Sequence, residues 1–478
     1  VMVEASWVSI LPPVVAILLS IWTKQVVWSL FAGIWMGSTL LAGYQPIAGI
    51  GASLDTIIAV FADAGDARVL VFTLLIGAMI RTIEHSGGVK GFVSYLESRR
   101  WVHNGPRAQW LAWWIGIVVF IESNITLLIA GSVCRPLFDR YQIAREKLAY
   151  IIDSTSAPVC VLVPLNAWGA LIIGLIASMD IEAPFAMFVK TIPLNLYAWF
   201  ALLLTAWVIV RNWNLPAMAS AEARTEQGQV SWTAAGSAQE SLEVSAPNSA
   251  HDSMLLEGNA GNAKHMVIPI IGMLCTMPVG LWITGDGDLF QGSGSTAILW
   301  AVIAALVCSW SLALLEGSAT VASLTALFME GAGRMLPIAI ILLLALALGD
   351  VAKMLGTGAY VSGLASSAVP VLLLAPLIFT VSGFIAFSVG SSWGTFAIMI
   401  PIAVPIAVNL DLSIPLMLAA AISGGIFGDH ASPISDTTVV ASMASQTDHI
   451  EHVKTQLPYA LVAGSAAAGG FLLLGLVM

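Results

Sequence analysis

Gly428-Asp429-His430-Ala431-Ser432-Pro433-Ile434-Ser435-Asp436-Thr437-Thr438 lies between the apolar runs 416–427 and 439–444. These residues carry two carboxylates, an imidazole and four hydroxyls. Facing lipid, such a density of polar groups is prohibitively costly, and a helix broken at membrane depth is tolerated only inside protein or beside water. The stretch therefore reads as a broken helix in the interior of a membrane protein. The rest of the chain agrees. Of 478 residues, 58% are hydrophobic and 10% charged, where a soluble domain carries about a quarter charged. A mean hydropathy of +0.90 leaves hydrocarbon as the solvent for most of the surface.

The net charge of −10, from 18 basic and 28 acidic residues, argues against nucleic acid as a partner. Cys134, Cys160, Cys275 and Cys308 stand singly, without C-x-x-C spacing, so neither a zinc site nor a disulfide framework is expected. The first apolar stretch holds Pro12-Pro13 and runs into further hydrophobic sequence, so no cleavable signal peptide is expected. The expected fold class is an all-α polytopic membrane protein.

Taking about 20 apolar residues per span, candidate segments fall at 7–22, 26–43, 50–61, 69–83, 109–134, 148–178, 187–210, 266–283, 296–315, 335–350, 359–379, 382–408, 414–445 and 457–477. Several are short or interrupted, which predicts about eleven crossings with some re-entrant pieces. Residues 212–264 differ in kind: they are rich in Ala, Ser, Gly, Glu and Gln, with six acidic residues against Arg224 and Lys264. This composition reads as a hydrophilic, flexible linker between a first membrane repeat, 1–211, and a second, 265–478.

The two halves share landmarks in order. Ser86-Gly87-Gly88 with Gly91 matches Gly356-Thr357-Gly358 with Tyr360-Val361. Glu122-Ser123-Asn124-Ile125-Thr126 matches Ser391-Ser392-Trp393-Gly394-Thr395, and Asp153-Ser154-Thr155-Ser156-Ala157-Pro158 matches Gly428-Asp429-His430-Ala431-Ser432-Pro433. The offsets are 270, 269 and 275 residues, which points to a duplication. Around 109–134 the flanks carry Arg99, Arg100 and Arg107 on one side and Arg135, Arg140, Arg145 and Lys147 on the other. The corresponding loops at 366–377 and 404–416 hold no Lys or Arg. By the positive-inside rule the repeats are inverted, with 109–134 and 382–408 as re-entrant hairpins and 148–178 and 414–445 as broken helices.

Four interruptions concentrate the polar residues: 122–126, 153–158 continuing to Pro164-Leu165-Asn166, 390–395 and 428–438. Hydroxyls, carboxylates and freed carbonyls are the ligands a hard cation such as Na⁺ accepts, and paired broken helices bring them to the membrane midplane. An empty, ionised Asp there costs roughly 2.5–3.5 kcal/mol, which suppresses movement of the empty site on the order of 100-fold. Neutralised by H⁺ or Na⁺, it moves freely, so competition for one carboxylate becomes exchange. The candidate ion- or substrate-binding residues are Asp429, Asp436, Ser432, Thr437, Thr438, Asp153, Ser154, Thr155, Asn166, Glu122, Ser123, Asn124, Ser391, Ser392 and Thr395. Proton coupling is assigned to Asp429, Glu122 and His430, and a Na⁺ site to Asp429, Asp153, Ser154 and Ser391.

At these residues the chain resembles the NhaC-type Na⁺/H⁺ antiporter family of the ion transporter superfamily. The resemblance is carried by 135–158 with Asp153-Ser154-Thr155-Ser156-Ala157-Pro158, by 424–442, by Asp448-His449-Ile450-Glu451-His452-Val453 through Thr455-Gln456-Leu457-Pro458-Tyr459-Ala460, and by 356–360. It implies an inverted-repeat secondary transporter of the bacterial inner membrane, exchanging Na⁺ for H⁺ with one domain moving elevator-fashion against a scaffold that commonly dimerises. No cofactor and no enzymatic activity are implied. The chain departs from the family where Glu122-Ser123 replaces paired aspartates: one charge is lost, and Asn124 adds an amide. Relatives also exchange organic acids or amino acids with Na⁺ or H⁺ as driving ion, the alternative in which Glu122 and Asn124 read a substrate amine opposite Ser391 and Ser392.

Other features read as structural. Asp448 and Glu451 suggest a capping box opening the last helix, with a surface pH sensor at Asp448-His449-Ile450-Glu451-His452 as the alternative; Gly285-Asp286-Gly287-Asp288 suggests a turn, and Glu84-His85 a loop role. Trp7, Trp22, Trp101, Trp110, Trp199 and Trp213 suit interfacial belts; Trp168 and Trp393 are placed to wall the site. No G-x-x-x-x-G-K-[ST] loop occurs, which argues against ATP-driven transport.

Overall fold

The computed structural model describes residues 6–23, 25–88, 91, 102–120, 122–179, 181, 183–229, 262–288, 292–360, 363 and 369–476. Among them there is no strand. The first half contains α1 (Leu11–Thr23), α2 (Val26–Leu41), α3 (Pro46–Ala59), α4 (Ala64–His85), α5 (Gly105–Val118), α6 (Ser123–Arg140), α7 (Arg145–Cys160), α8 (Ala167–Ala177), α9 (Pro184–Thr191) and α10 (Leu196–Arg211). After α11 (Pro216–Glu226), the second half contains α12 (Lys264–Thr284), α13 (Gly294–Leu315), α14 (Val321–Met354), α15 (Leu374–Val389), α16 (Ser392–Asn409), α17 (Ile414–Ala431), α18 (Asp436–Ser445) and α19 (His449–Gly475).

Seven of the described helices are long and apolar enough to cross a membrane, or nine if each bent pair is one span. This is fewer than the eleven crossings expected, because α5, α7, α8 and α18 are separate pieces of hairpins and broken helices. At 14 residues, α5 reaches only about 21 Å, short of a hydrocarbon core about 30 Å thick. The chain bends by 116° between α2 and the segment from Pro46, between the two segments expected at 26–43 and 50–61. The second hairpin begins at Leu374, not 382, so part of the segment expected at 359–379 is its first arm.

The duplication is visible in the helix starts. Helices α6, α7 and α8 begin at Ser123, Arg145 and Ala167, and α16, α17 and α18 begin at Ser392, Ile414 and Asp436, each 269 residues later. This register corrects the third sequence match, whose offset of 275 aligned Asp153 with Gly428. In the structure Asp429 corresponds to Cys160 and Asp153 to Ile422, so the two acids are not repeat equivalents. Pro158 and Pro433 misled the alignment: Pro158 lies within α7, whereas Pro433 follows Ser432, the C-cap of α17.

Each break has a local cause. At the tip of the second hairpin Gly390 adopts φ +73°, and a Cβ there would lie 2.6 Å from the Ile434 carbonyl; only glycine fits. Helix α17 stops at Ser432, whose backbone is extended, because Pro433 has no N–H to continue the ladder. Helix α8 opens on Asn166, whose side chain accepts from Gly169 N at 2.9 Å, an N-cap.

Helices α1, α2, α4, α12, α13 and α14 pack into one bundle, while the hairpins, broken helices, α10 and α19 form the other body. Helix α4 crosses α14 where Gly77 meets Gly331; a Cβ on either would approach the other's carbonyl oxygen to 2.3 Å. The crossing is tied by charge. Arg334 reaches Glu84 at 3.2 Å and Glu330 at 2.9 Å, and Arg81 reaches Glu330 at 2.9 Å. Glu84 thus lies in the last turn of α4 as an ion-pair partner, not in a loop. Within the second body, contacts exchange between halves: α6 packs on α18, and α16 packs on α8.

The stretch read as a linker from 212 begins with structure. Helix α11 docks on α7 and α19, placing Arg224 on Glu146 and Glu222 3.0 Å from Lys147. Lys147 is fully buried and also donates to Asn212 Oδ1 at 2.7 Å. Burying a lysine demands such partners, so α11 belongs to the folded unit. Residues 230–261 lie outside the described residues, as do Arg99, Arg100 and Trp101.

Candidate functional site

The breaks of the second half converge on Asp429. Ser392 Oγ, in the first residue of α16, donates to Asp429 Oδ2 at 2.8 Å, and Ser435 Oγ, the N-cap of α18, donates to Oδ1 at 2.7 Å. Asp429 is 1% exposed, and Ser392 and Ser435 are fully buried. The carboxylate thus sits between the starts of two helices, where free N–H groups and helix dipoles favour negative charge.

Asp153, on α7, is the second buried acid. Its Oδ2 accepts from Gln456 Nε2 of α19 at 2.6 Å and from Thr438 Oγ1 of α18 at 3.2 Å. Its Oδ1 is buried and accepts no hydrogen bond. The first turn of α18 therefore serves both acids, Ser435 holding Asp429 and Thr438 holding Asp153; Thr437 Oγ1 lies 3.0 Å from Ser435 Oγ. Among the described residues no Lys, Arg or His forms a salt bridge with Asp153, Asp429 or Asp436. Asp436 differs from its neighbours: it is exposed, accepting from Thr437 N at 3.0 Å. The eleven-residue stretch thus has one buried acid and one accessible acid, not two buried ones.

The remaining candidates divide. His430 is buried, with Nδ1 2.6 Å from the Tyr197 hydroxyl and Nε2 3.2 Å from Ser154 Oγ; its ring bonds to neither aspartate. Asn166 donates to the carbonyls of Phe120 at 3.1 Å and Cys160 at 2.8 Å, fastening the first hairpin to the break after α7. Glu122 accepts from Ser123 Oγ at 3.3 Å and lies in electrostatic reach of Cys160, the repeat counterpart of Asp429. Asn124 Oδ1 is buried without a hydrogen-bond partner.

Four hydroxyls serve the backbone. Thr155 donates to Ile151 O at 2.8 Å while filling the space over Gly116, and Ser432 donates to Phe387 O at 2.8 Å. Thr395 donates to Ser391 O at 2.9 Å, and Ser391 Oγ caps α16 by accepting from Gly394 N at 3.5 Å. The four residues expected to hold Na⁺ are therefore split: Ser154 faces His430, Ser391 is a cap, and each aspartate has its own donors. Among the described residues no group of three or more His, Cys, Asp or Glu stands in position to hold a metal ion. Trp168 and Trp393 do meet, ring centroids 4.8 Å apart, beside the breaks.

Gln456 is the residue that sequence reading missed. Its Nε2 bridges Asp153 Oδ2 and the His430 carbonyl, the latter at 2.8 Å, joining the broken helices of both halves. A glutamine within an apolar helix is itself a polar-residue signal, and Gln456 lies in the motif at 455–460. Tyr197 was equally hidden, because it reaches His430 from 233 positions away.

The family model "Na+/H+ antiporter family" matches residues 159–476. An uncharacterized protein of Haemophilus influenzae is 31% identical over 98% of this chain and 90% of its own length. The malate-2H⁺/Na⁺-lactate antiporter of Bacillus subtilis is 38% identical over 88 residues, 18% of each chain. The YdaH transporter of Alcanivorax borkumensis, whose crystal structure has an unusual topology, is 14% identical and superposes over 89% of this chain and 88% of its own with a TM-score of 0.57, a likeness of fold. With its broken helices gathered around buried, unpaired acids, this multi-pass membrane protein is a secondary transporter and belongs to the Na⁺/H⁺ antiporter family.

Proposed function

We propose that the chain exchanges Na⁺ for H⁺ across the bacterial inner membrane, with Asp153 and Asp429 as the acids for which the two ions compete. The observation that carries this reading is Asp153 Oδ1: a fully buried carboxylate oxygen to which, among the described residues, no hydrogen bond and no salt bridge is made. An ionised carboxylate so placed is costly; binding a proton or a small cation removes the cost. The hydroxyls of Thr437, Thr438, Ser435 and Ser392 surround the two acids with oxygen ligands suited to a hard cation. Asp436, exposed at the same break, gives an arriving cation an acidic approach. The division into a scaffold bundle and a body carrying both hairpins supports an elevator motion of that body, and the arginines on both flanks of the first hairpin support inverted repeats.

Purified protein in liposomes loaded with a pH dye tests the reading: Na⁺ pulses against a proton gradient are expected to move protons in wild type. Na⁺ pulses that release none, with uptake of a carboxylate or amino acid instead, would overturn it. That second outcome is the alternative favoured by Glu122, Ser123 and Asn124, a separate polar group with a buried unpartnered amide oxygen; the local similarity to an antiporter of malate and lactate supports it.

A further inference from the structure

A hydrogen-bonded chain leads away from Asp153 along α19 and ends at a half-buried histidine. Gln456 Oε1 lies 2.8 Å from His452 Nε2, His452 Nδ1 lies 2.8 Å from Ser442 Oγ, and Ser442 Oγ lies 3.1 Å from His449 Nδ1. His449 Nε2 closes the chain on the Pro433 carbonyl at 2.6 Å. These two histidines were read from sequence as part of a helix opening. Asp448 does cap α19 by accepting from Glu451 N at 3.0 Å, but Glu451 pairs with Lys454 at 2.8 Å and does not return to the cap.

Donor counting fixes where the protons are. A carbonyl only accepts, so His449 Nε2 carries a hydrogen. Both hydrogens of Gln456 Nε2 go to Asp153 and the His430 carbonyl, so Oε1 faces His452, whose Nε2 must also carry a hydrogen. With both rings neutral, each Nδ1 is bare and each points at Ser442. That hydroxyl has one proton and three acceptors around it: the two Nδ1 atoms and the Thr438 carbonyl at 2.8 Å. One proton serves one of the three, so at least one Nδ1 is left without a donor.

We propose that His449, Ser442 and His452 form a proton-binding site that takes up one proton shared between the two rings and is coupled to Asp153 through Gln456. The added proton sits on one Nδ1, which donates to Ser442 Oγ; the serine proton then turns to the other Nδ1. A second proton would place two imidazolium charges around one oxygen, so the pair loads in two well-separated steps. Half-buried His449 receives the proton from water, and fully buried His452 carries the charge towards the site. Asp153 of α7 faces the pair through Gln456, and His430 of α17 lies in electrostatic reach of His452. Arg145 approaches through Gln446 O at 3.2 Å, Tyr197 of α10 through His430, Glu222 of α11 pairs with Lys147, and Asp448, Glu451 and Lys454 belong to the start of α19 itself. Positive charge there favours the ionised form of Asp153, and ionised Asp153 favours the proton on the pair, as reciprocal linkage requires.

The test reads proton occupancy and needs no cargo, so its result is independent of what the protein transports. The full chain labelled with ¹⁵N-histidine is titrated by NMR from about pH 8 to about pH 5, the range in which imidazoles change charge. The expected result is one imidazolium signal that either His449→Gln or His452→Gln removes or moves, and that Ser442→Ala shifts to lower pH by at least about one unit, tenfold in proton affinity. Should a histidine variant fail to fold, Ser442→Ala, which deletes a single oxygen, carries the same comparison. Neutral rings throughout, or a His449 titration unchanged by Ser442→Ala, would overturn the proposal.

Discussion

Ser392, at the first turn of α16, holds the carboxylate of Asp429 on α17 at 2.8 Å, so the second hairpin is fastened to the broken helix at the one buried acid of that break. The equivalent join in the first half is made by the Asn166 amide, which donates to the carbonyls of Phe120 and Cys160. The second break places the acid Asp429 where the first has Cys160.

Asp429→Asn keeps the size of the side chain and removes its titration. Coupled exchange in dye-loaded liposomes is expected to fall to background while the variant still purifies as a folded protein. Wild-type rates would remove Asp429 from the site.

Ser392→Ala takes one donor from a buried carboxylate, at a cost of about 1.5–3 kcal/mol. The hydrogen bond stabilises the ionised form, so the cation concentration for half-maximal exchange should rise by roughly tenfold or more. An unchanged value would mean that the bond does not act on the cation-binding form.

Glu222→Ala leaves Lys147 buried beside Asn212 without its carboxylate. Loss of one partner of a buried pair costs about 3–5 kcal/mol, which thermal unfolding in detergent should report as a clear drop in Tm. The double replacement Lys147→Met with Glu222→Leu should recover most of that loss. Equal stability of Glu222→Ala and wild type would show that α11 is not docked through this pair.

Gly77→Val puts a side chain into the Gly331 carbonyl, where even a Cβ approaches to 2.3 Å. Overpacking costs about 1–3 kcal/mol, so Tm should fall, whereas Gly333→Ala, where a Cβ meets nothing within 4 Å, should leave it in place. A Gly77→Val protein as stable as wild type would refute the close crossing of α4 and α14.

Single cysteines replacing Arg107 and Arg140 mark the two ends of the first hairpin. Labelling by an impermeant reagent is expected from the same side of the membrane for both. Opposite sides would make α5 and α6 one broken span rather than a hairpin.

Much of this was legible because its causes are local. Pro433 and Gly390 break helices by their own stereochemistry, and the polar run at 428–438 is too costly for lipid wherever it lies. The recurrence of hairpin and broken helix is written in the order of landmarks. The register of the third landmark misled, since a proline inside α7 and one just after α17 look alike in sequence but differ in whether the helix continues through them. Eleven hydroxyl or amide candidates looked interchangeable in the sequence; Thr155, Thr395 and Ser391 serve their own backbone, a choice made by the direction in which each side chain leaves its helix.

Sequence alone determined that the chain lives in a membrane, that it is duplicated, and that its costly groups gather at four interruptions, because transfer energies and proline geometry are properties of the residues themselves. The tertiary structure decided which acids are buried and who holds them. Asp436 is open while Asp429 seven positions earlier is enclosed, and Gln456 and Tyr197 reach across hundreds of residues to the centre. Those outcomes depend on how separate helices pack, and the energy of a buried charge depends on its neighbours in space.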